Sequence, residues 1–277
     1  MSDYPWARLA VNLGISAVAI IALIGLVLLV SLRRRNHSLI DIFWGPGFVL
    51  VAVVSYVLSS SSGADGTRRL TVLLATALWG GRLGLYLARR NLGHGEDPRY
   101  TALMRHRTGS LIGYLVRKIY GLQGALMFVI SLPIQVAMYE SRGLGVLGAV
   151  GIVLWLFGFG FESIGDWQLS RFKATPTNAG KIMDRGLWAW TRHPNYFGDT
   201  CVWVALWVLS LGHPLGVAAV VAPVVMTRLL ISITGKRLLD KRMLRSRGTE
   251  YELYAARTSG FFPRPPKRRT PSLDAPS

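Results

Sequence analysis

Seven stretches of this chain stay apolar for about the twenty residues that a helix needs to cross a bilayer. They lie near Leu9–Leu32, Leu39–Ser60, Leu70–Arg90, Tyr120–Tyr139, Leu144–Gly165, Tyr196–Leu211 and Leu215–Thr234. Inside a bilayer backbone N–H and C=O groups find no water, so spans of this kind are helices. The expected fold is all-α: a polytopic membrane protein of about seven transmembrane helices whose cytosolic loops form a nucleotide site. The first stretch is too long for a signal peptide, has no basic segment before it and stops at Arg33-Arg34-Arg35, so it reads as a retained anchor. Gly212-His213-Pro214 leaves only a short turn between the last two spans, which could instead form a hairpin that does not fully cross.

Charge fixes the orientation. The chain is 51% hydrophobic, yet 32 basic residues face 14 acidic ones, for a net +18. With seven spans, 26 of the basic residues fall on one side and four (Arg8, Arg68, Arg69, Arg142) on the other, with Arg82 and Arg228 inside spans. The positive-inside rule then puts the basic loops and the C-terminus in the cytosol and the N-terminus outside, as expected of a bacterial inner-membrane protein. Nucleic-acid binding is excluded as a partner class, since it places basic stripes on a soluble domain without membrane-length apolar runs. Residues 1–262 read as one membrane domain, and 263–277, with its prolines and Lys267-Arg268-Arg269, as a disordered tail.

Several chemistries drop out. Cys201 is the only cysteine, so neither an intrachain disulfide nor a thiolate metal cluster is possible. The five histidines, His37, His94, His106, His193 and His213, show no metal-ligand pairing, and no metal site is expected. Gly143-Leu-Gly-Val-Leu-Gly148 matches a dinucleotide fingerprint as a string, but no strand precedes it, and small-residue helix packing explains it.

Four constellations remain. Trp79, Arg82, Tyr86 and Arg89 are spaced 3, 4 and 3 and share a face of the third span, with Arg89 at its mouth and Arg82 about two turns deeper. An intramembrane arginine marks a wet cavity, an ion pair or a snorkelling side chain; Asp41, at the start of the second span, is its expected partner. Glu162 and Asp166 are i and i+4 at the end of the fifth span, with Lys173 seven residues on; they suit ribose hydroxyls and phosphate, or simply a solvated helix end. In Arg192-His193-Pro194-Asn195-Tyr196-Phe197-Gly198-Asp199, Pro194 opens a helix whose free amides can meet an anion, with Asn195 and Asp199 on one face. The cytosolic segment Tyr251–Phe262, with Tyr251 and Tyr254, could close over a nucleotide.

At this Arg-His-Pro-Asn-Tyr segment the sequence resembles the steroid 5-alpha-reductase superfamily, in its bacterial membrane branch. The likeness extends from Asp41 through Pro263 and includes Asp41-Ile-Phe-Trp-Gly45, Trp79-Gly-Gly-Arg82, Gly95-Glu-Asp-Pro-Arg-Tyr100 and Tyr254–Pro263. It implies a seven-helix enzyme that uses NADPH to reduce a carbon–carbon double bond conjugated to a carbonyl. Residues 1–140 would take the lipid substrate from the bilayer and 141–262 the nucleotide. Asp166 and Asn195 match nucleotide-binding positions of the family, Lys173 stands where the family has arginine, and Glu162 replaces an asparagine. Arg228 aligns with a further nucleotide contact, while Arg89, Arg192, His193, Tyr196, Asp199, Tyr251 and Tyr254 complete the expected cofactor set. Asp41 stands in for the family's catalytic glutamate, Tyr86 for its tyrosine, and Arg82 joins them; Ile40 precedes Asp41 where a Gln-Glu pair is usual, so steroid specificity is not implied. The rival resemblance is to membrane methyltransferases of the isoprenylcysteine or phospholipid type, which bind S-adenosylmethionine. A small transporter or assembly factor is the non-enzymatic alternative.

Overall fold

The computed structural model describes residues 4–93, 95–105, 109–233 and 235–267. His94, His106, the expected end of the last span at Thr234, and tail residues 268–277 lie outside them. The protein is all-α and polytopic. Among the described residues, five helical segments are long and apolar enough to cross a membrane: Trp6–Arg34, Gly66–Asn91, Leu111–Ala137, Gly145–Ala174 and Pro214–Arg247. Two of the seven expected spans are shorter. The second breaks into Leu39–Ile42 and Trp44–Leu58, and the sixth is the 15-residue Pro194–Val208. At 1.5 Å per residue, about 15 residues reach only ~22 Å of a ~30 Å hydrocarbon core.

Two compact units divide the chain: Met1–Ile152 with Ala205–Ala222, and Val153–Val204 with Pro223–Ser277. The boundary thus falls beyond residue 140, and a late segment joins the first unit.

In the first unit, α1 (Trp6–Arg34), α2 (Leu39–Ile42), α3 (Trp44–Leu58) and α4 (Gly66–Asn91) are followed by α5 (Pro98–Arg105), α6 (Leu111–Tyr114), a π-helical turn Leu115–Tyr120, α7 (Gly121–Ile130) and α8 (Leu132–Ala137). α3 lies along α4, with α1 against α3 and α7. The α3–α4 contact is a glycine crossing: a Cβ on Gly45 would sit 2.3 Å from the Gly80 carbonyl oxygen, and one on Gly80 2.5 Å from that of Gly45. Where lipid is as apolar as the helices, such close backbone approach and interhelical hydrogen bonds supply the association energy. Asn12 accordingly donates to Gln135 at 3.0 Å, linking α1 to α8 in the buried interior. Asp65 caps α4 by accepting from the Arg68 N–H at 2.7 Å. The Arg68 side chain, 2% exposed, donates to the carbonyls of Arg142 (3.1 Å), Gly143 (2.9 Å) and Leu209.

The second unit contains α9 (Gly145–Ala174) from Val153 onward, the turn α10 (Leu187–Trp190) and α11 (Pro194–Val208) up to Val204. α9 and α11 also meet on glycines: a Cβ on Gly158 would lie 2.7 Å from the Gly198 carbonyl oxygen. The unit's later part takes in α13 (Val221–Arg228, after α12, Pro214–Ala218, of the first unit) from Pro223 onward, α14 (Lys236–Arg247) and α15 (Thr249–Arg257). Ile182, Tyr251 and Tyr254 form a small core with Met243 and Ala255. Beyond α15 the chain straps back over the start of α11: Arg192 N–H donates to Ser259 (2.9 Å), the Thr191 hydroxyl to Phe261 (2.8 Å) and Arg264 N–H to Trp190 (3.0 Å).

Candidate functional site

One part-buried polar network in each unit gathers residues expected from the sequence. In the first, Ser38 starts the short turn α2, which places Asp41 before the α3 helix. Arg99 donates to one Asp41 oxygen at 2.8 Å and the Tyr100 hydroxyl to the other at 2.6 Å. Arg99 is also bridged to Asp97 at 3.1 Å, and Gln123 donates to the Tyr100 oxygen at 3.4 Å. Glu96 accepts from the backbone N–H groups of His37 (2.6 Å) and Ser38 (2.8 Å), and His37 Nδ1 lies 3.0 Å from the Tyr120 hydroxyl. Burial, then the Asp41 charge, holds the Tyr100 phenol protonated well above its usual range. Burial works against the Arg99 charge, but the Asp97 hydrogen bond and Asp41 outweigh it and raise its pKa.

These contacts correct the sequence reading. Asp41 was expected to pair with Arg82 and to orient Tyr86; the residues on its two oxygens are Arg99 and Tyr100. Both belong to the Gly95–Tyr100 motif, so the signal was present but carried no assigned role. A reach of 58 and 59 residues from the start of α5 back to α2 leaves no periodicity to read. Arg82 and Tyr86 are half-buried on α4, with the Arg90 guanidinium 5.8 Å over the Tyr86 ring, and Arg89 is exposed near the end of that helix.

In the second unit the centre is Asp240 on α14, which sequence reading missed. One of its oxygens lies 2.9 Å from His193 Nε2 and accepts from the Tyr251 hydroxyl; the other lies 3.2 Å from Arg192 and 3.5 Å from Lys236. Arg192 also donates to the Ala255 carbonyl at 3.0 Å. The His193 ring stacks on Tyr196 (centroids 5.4 Å, interplanar 3°), and Tyr254 donates to the Trp188 carbonyl at 2.6 Å. Burial lowers the His193 pKa, although the Asp240 hydrogen bond pulls it upward, and burial raises both tyrosines. A lone aspartate among lysines and arginines gives no motif; only folding shows that three expected site residues, Arg192, His193 and Tyr251, converge on it.

Close by in sequence, the first turn of α11 is tied to α9. Asn195 donates to Asp166 at 3.2 Å, and Trp188 donates to the Gly165 carbonyl at 3.0 Å. Glu162, Asp166 and Asp199 are buried (3%, 3% and 8% exposed), so the solvated-helix-end explanation of the first two fails. Lys173 and Arg228 are exposed. A cavity of about 410 Å³ is lined by Asp184, Arg185, Arg257, Thr258 and Lys267; Arg257 and Thr258 belong to the Tyr251–Phe262 segment, but none of the individually expected site residues lines it. Among the described residues no group of three His, Cys, Asp or Glu could hold a metal ion.

The fold defines an all-α polytopic membrane protein that faces lipid with its apolar helices. The chain belongs to the family described as protein of unknown function, DUF1295, whose match covers residues 27–258. No curated protein and no solved structure matches it.

Proposed function

We propose that the protein is a membrane-bound, NADPH-dependent reductase of a carbon–carbon double bond conjugated to a carbonyl, acting on a steroid-, isoprenoid- or fatty-acyl-like lipid drawn from the bilayer. The reading rests on the resemblance to steroid 5-alpha-reductases, and the observation that carries it is half-buried Asn195 hydrogen-bonded to buried Asp166, with Glu162 one helical turn away. A carboxylate accepts from ribose hydroxyls, and an amide can both donate to and accept from a carboxamide, so the donor set fits a nicotinamide nucleotide. The seven-span, cytosol-facing arrangement and bacterial inner-membrane location belong to the same reading, supported by the one-sided distribution of basic residues.

NADPH, when bound, supplies the hydride for the β carbon of the enone. Asn195, Asp166 and Glu162 hold and orient the nucleotide, while Arg192 and His193, engaged by Asp240, fix the start of α11 rather than touch the cofactor. Tyr86 donates a hydrogen bond to the substrate carbonyl oxygen and so stabilises the charge that develops there. A proton added at the α carbon balances the reduction. Asp41, gripped by Arg99 and Tyr100, keeps the polar end of the first unit in shape.

One observation favours a second reading. Three buried carboxylates surround the start of α11, while Arg192 and Lys236 are neutralised by Asp240. That environment would also suit the cationic S-adenosylmethionine of a membrane methyltransferase. Calorimetric titration of the detergent-purified protein with NADPH and, separately, S-adenosylmethionine distinguishes the two, repeated on Asn195→Ala. Saturable NADPH binding weakened by the substitution is the expected result. Binding of S-adenosylmethionine alone overturns the reductase in favour of the methyltransferase, and binding of neither leaves a non-enzymatic role.

A further inference from the structure

α14 has two chemically distinct sides. Asp240 points to Arg192, His193, Tyr251 and Lys236, and Met243 packs against the Ile182–Tyr251–Tyr254 core. The opposite side carries Arg237, Lys241, Arg242 and Arg245, all exposed, together with Leu238 and Leu244 at 39% and 44% exposure. At 3.6 residues per turn these six occupy an arc of about 160°. No hydrogen bond or ion pair ties any of the four basic residues to another described residue, and no acidic side chain of the helix lies among them.

The positive-inside rule accounts for the number of basic residues after the last span but not for this arrangement, since topology is set by charge count and not by helix face. A face that combines unpaired cations with partly exposed leucines, beginning two residues after the apolar run Leu229–Ile233, has the chemistry of a helix lying in the headgroup layer. We propose that the outer face of α14 is a binding surface for anionic phospholipid headgroups. The cations meet the phosphates, the two leucines enter the acyl boundary, and Asp240, on the reverse side, anchors the helix to the start of α11. A protein partner would need a complementary acidic surface, whereas the bilayer supplies anionic headgroups wherever the apolar helices are embedded.

The test is a thermal-unfolding titration of the full-length protein in neutral detergent with dihexanoyl phosphatidylglycerol, dihexanoyl phosphatidylcholine or inorganic phosphate. The anionic lipid should raise the melting temperature saturably and at lower concentration than either other probe, and salt should weaken the effect. In R237Q/K241Q/R242Q/R245Q the midpoint should shift at least about tenfold to higher lipid concentration, with the lipid-free melting temperature unchanged because these side chains hold nothing in the fold. L238S/L244S, which keeps every charge, should weaken the lipid response and leave the phosphate response alone. An equal response to phosphatidylcholine, an equal response to phosphate, or an anionic-lipid response that survives the fourfold substitution would each overturn the proposal.

Discussion

Tyr100 donates its phenolic hydrogen to Asp41 at 2.6 Å and accepts from Gln123 at 3.4 Å, so its hydroxyl is fully occupied within the first unit. A phenol in that state is a brace rather than a free acid. Tyr100→Phe should therefore lower stability by about 1–2 kcal/mol, the cost of leaving one carboxylate oxygen under-satisfied. Under the proposed function it should retain most turnover below its melting transition. Tyr86→Phe should instead cause a large loss of turnover when assayed below its melting transition. Unfolding curves and initial rates on both variants check this; equal activity of Tyr86→Phe would remove Tyr86 from the mechanism.

The glycine crossing of α3 and α4 predicts a sharp positional contrast. Gly80→Ala places a methyl 2.5 Å from the Gly45 carbonyl oxygen, whereas the neighbouring Gly81 has nothing within 4 Å of an added Cβ. Overpacking at Gly80 should cost about 1–3 kcal/mol. Gly81→Ala should be neutral or slightly stabilising, through helix propensity. Melting temperatures of the two variants in the same detergent are the measurement.

Asp240 holds four side chains from three segments of the second unit. Asp240→Asn leaves Arg192 and Lys236 without a counter-charge. With the Asp240 side chain 20% exposed, we expect a loss of about 2–4 kcal/mol, somewhat below that for breaking a fully buried pair. Lys236→Gln should cost much less, because the 3.5 Å contact is the longest of the four. Chemical denaturation of the two variants side by side tests the ranking.

His193 predicts a pH dependence. Its folded-state pKa lies below the usual 6.5 because burial disfavours the imidazolium. The unfolded chain then binds more protons at mildly acid pH, so this contribution to stability is full above about pH 6.5 and is lost as pH falls toward the lowered value. His37, outside the spans, is shifted in the same direction by burial and adds to the slope. His193→Gln should therefore melt with a smaller decrease than the wild type between about pH 7 and about pH 5. An identical decrease would show that His193 does not titrate in this range.

The candidate site was legible in part. Helical spacing paired Glu162 with Asp166 and Asn195 with Asp199 in advance, because it fixes which neighbours share a face, but it could not show that Asn195 on one helix donates to Asp166 on another. Asp41 was singled out, but its partner was sought on α4, where periodicity could be read, whereas Arg99 and Tyr100, which close on it, lie in the first turn of α5. Asp240 escaped notice because a single acid in a basic run looks like ordinary surface charge.

What the sequence determined by itself is the class: long apolar runs can only be helices in a bilayer, and their length and composition are read along the chain. Those properties are local, so they survive without knowledge of any contact. Only the tertiary structure decided that Trp44–Leu58 and Pro194–Val208 are too short to span unaided, that Arg99 and Tyr100 close on Asp41, and that Arg192, His193 and Tyr251 spend their polar groups on Asp240. Which donor meets which acceptor depends on distances between residues as far apart as 59 positions, as for Tyr100 and Asp41, and no periodicity along the chain encodes them.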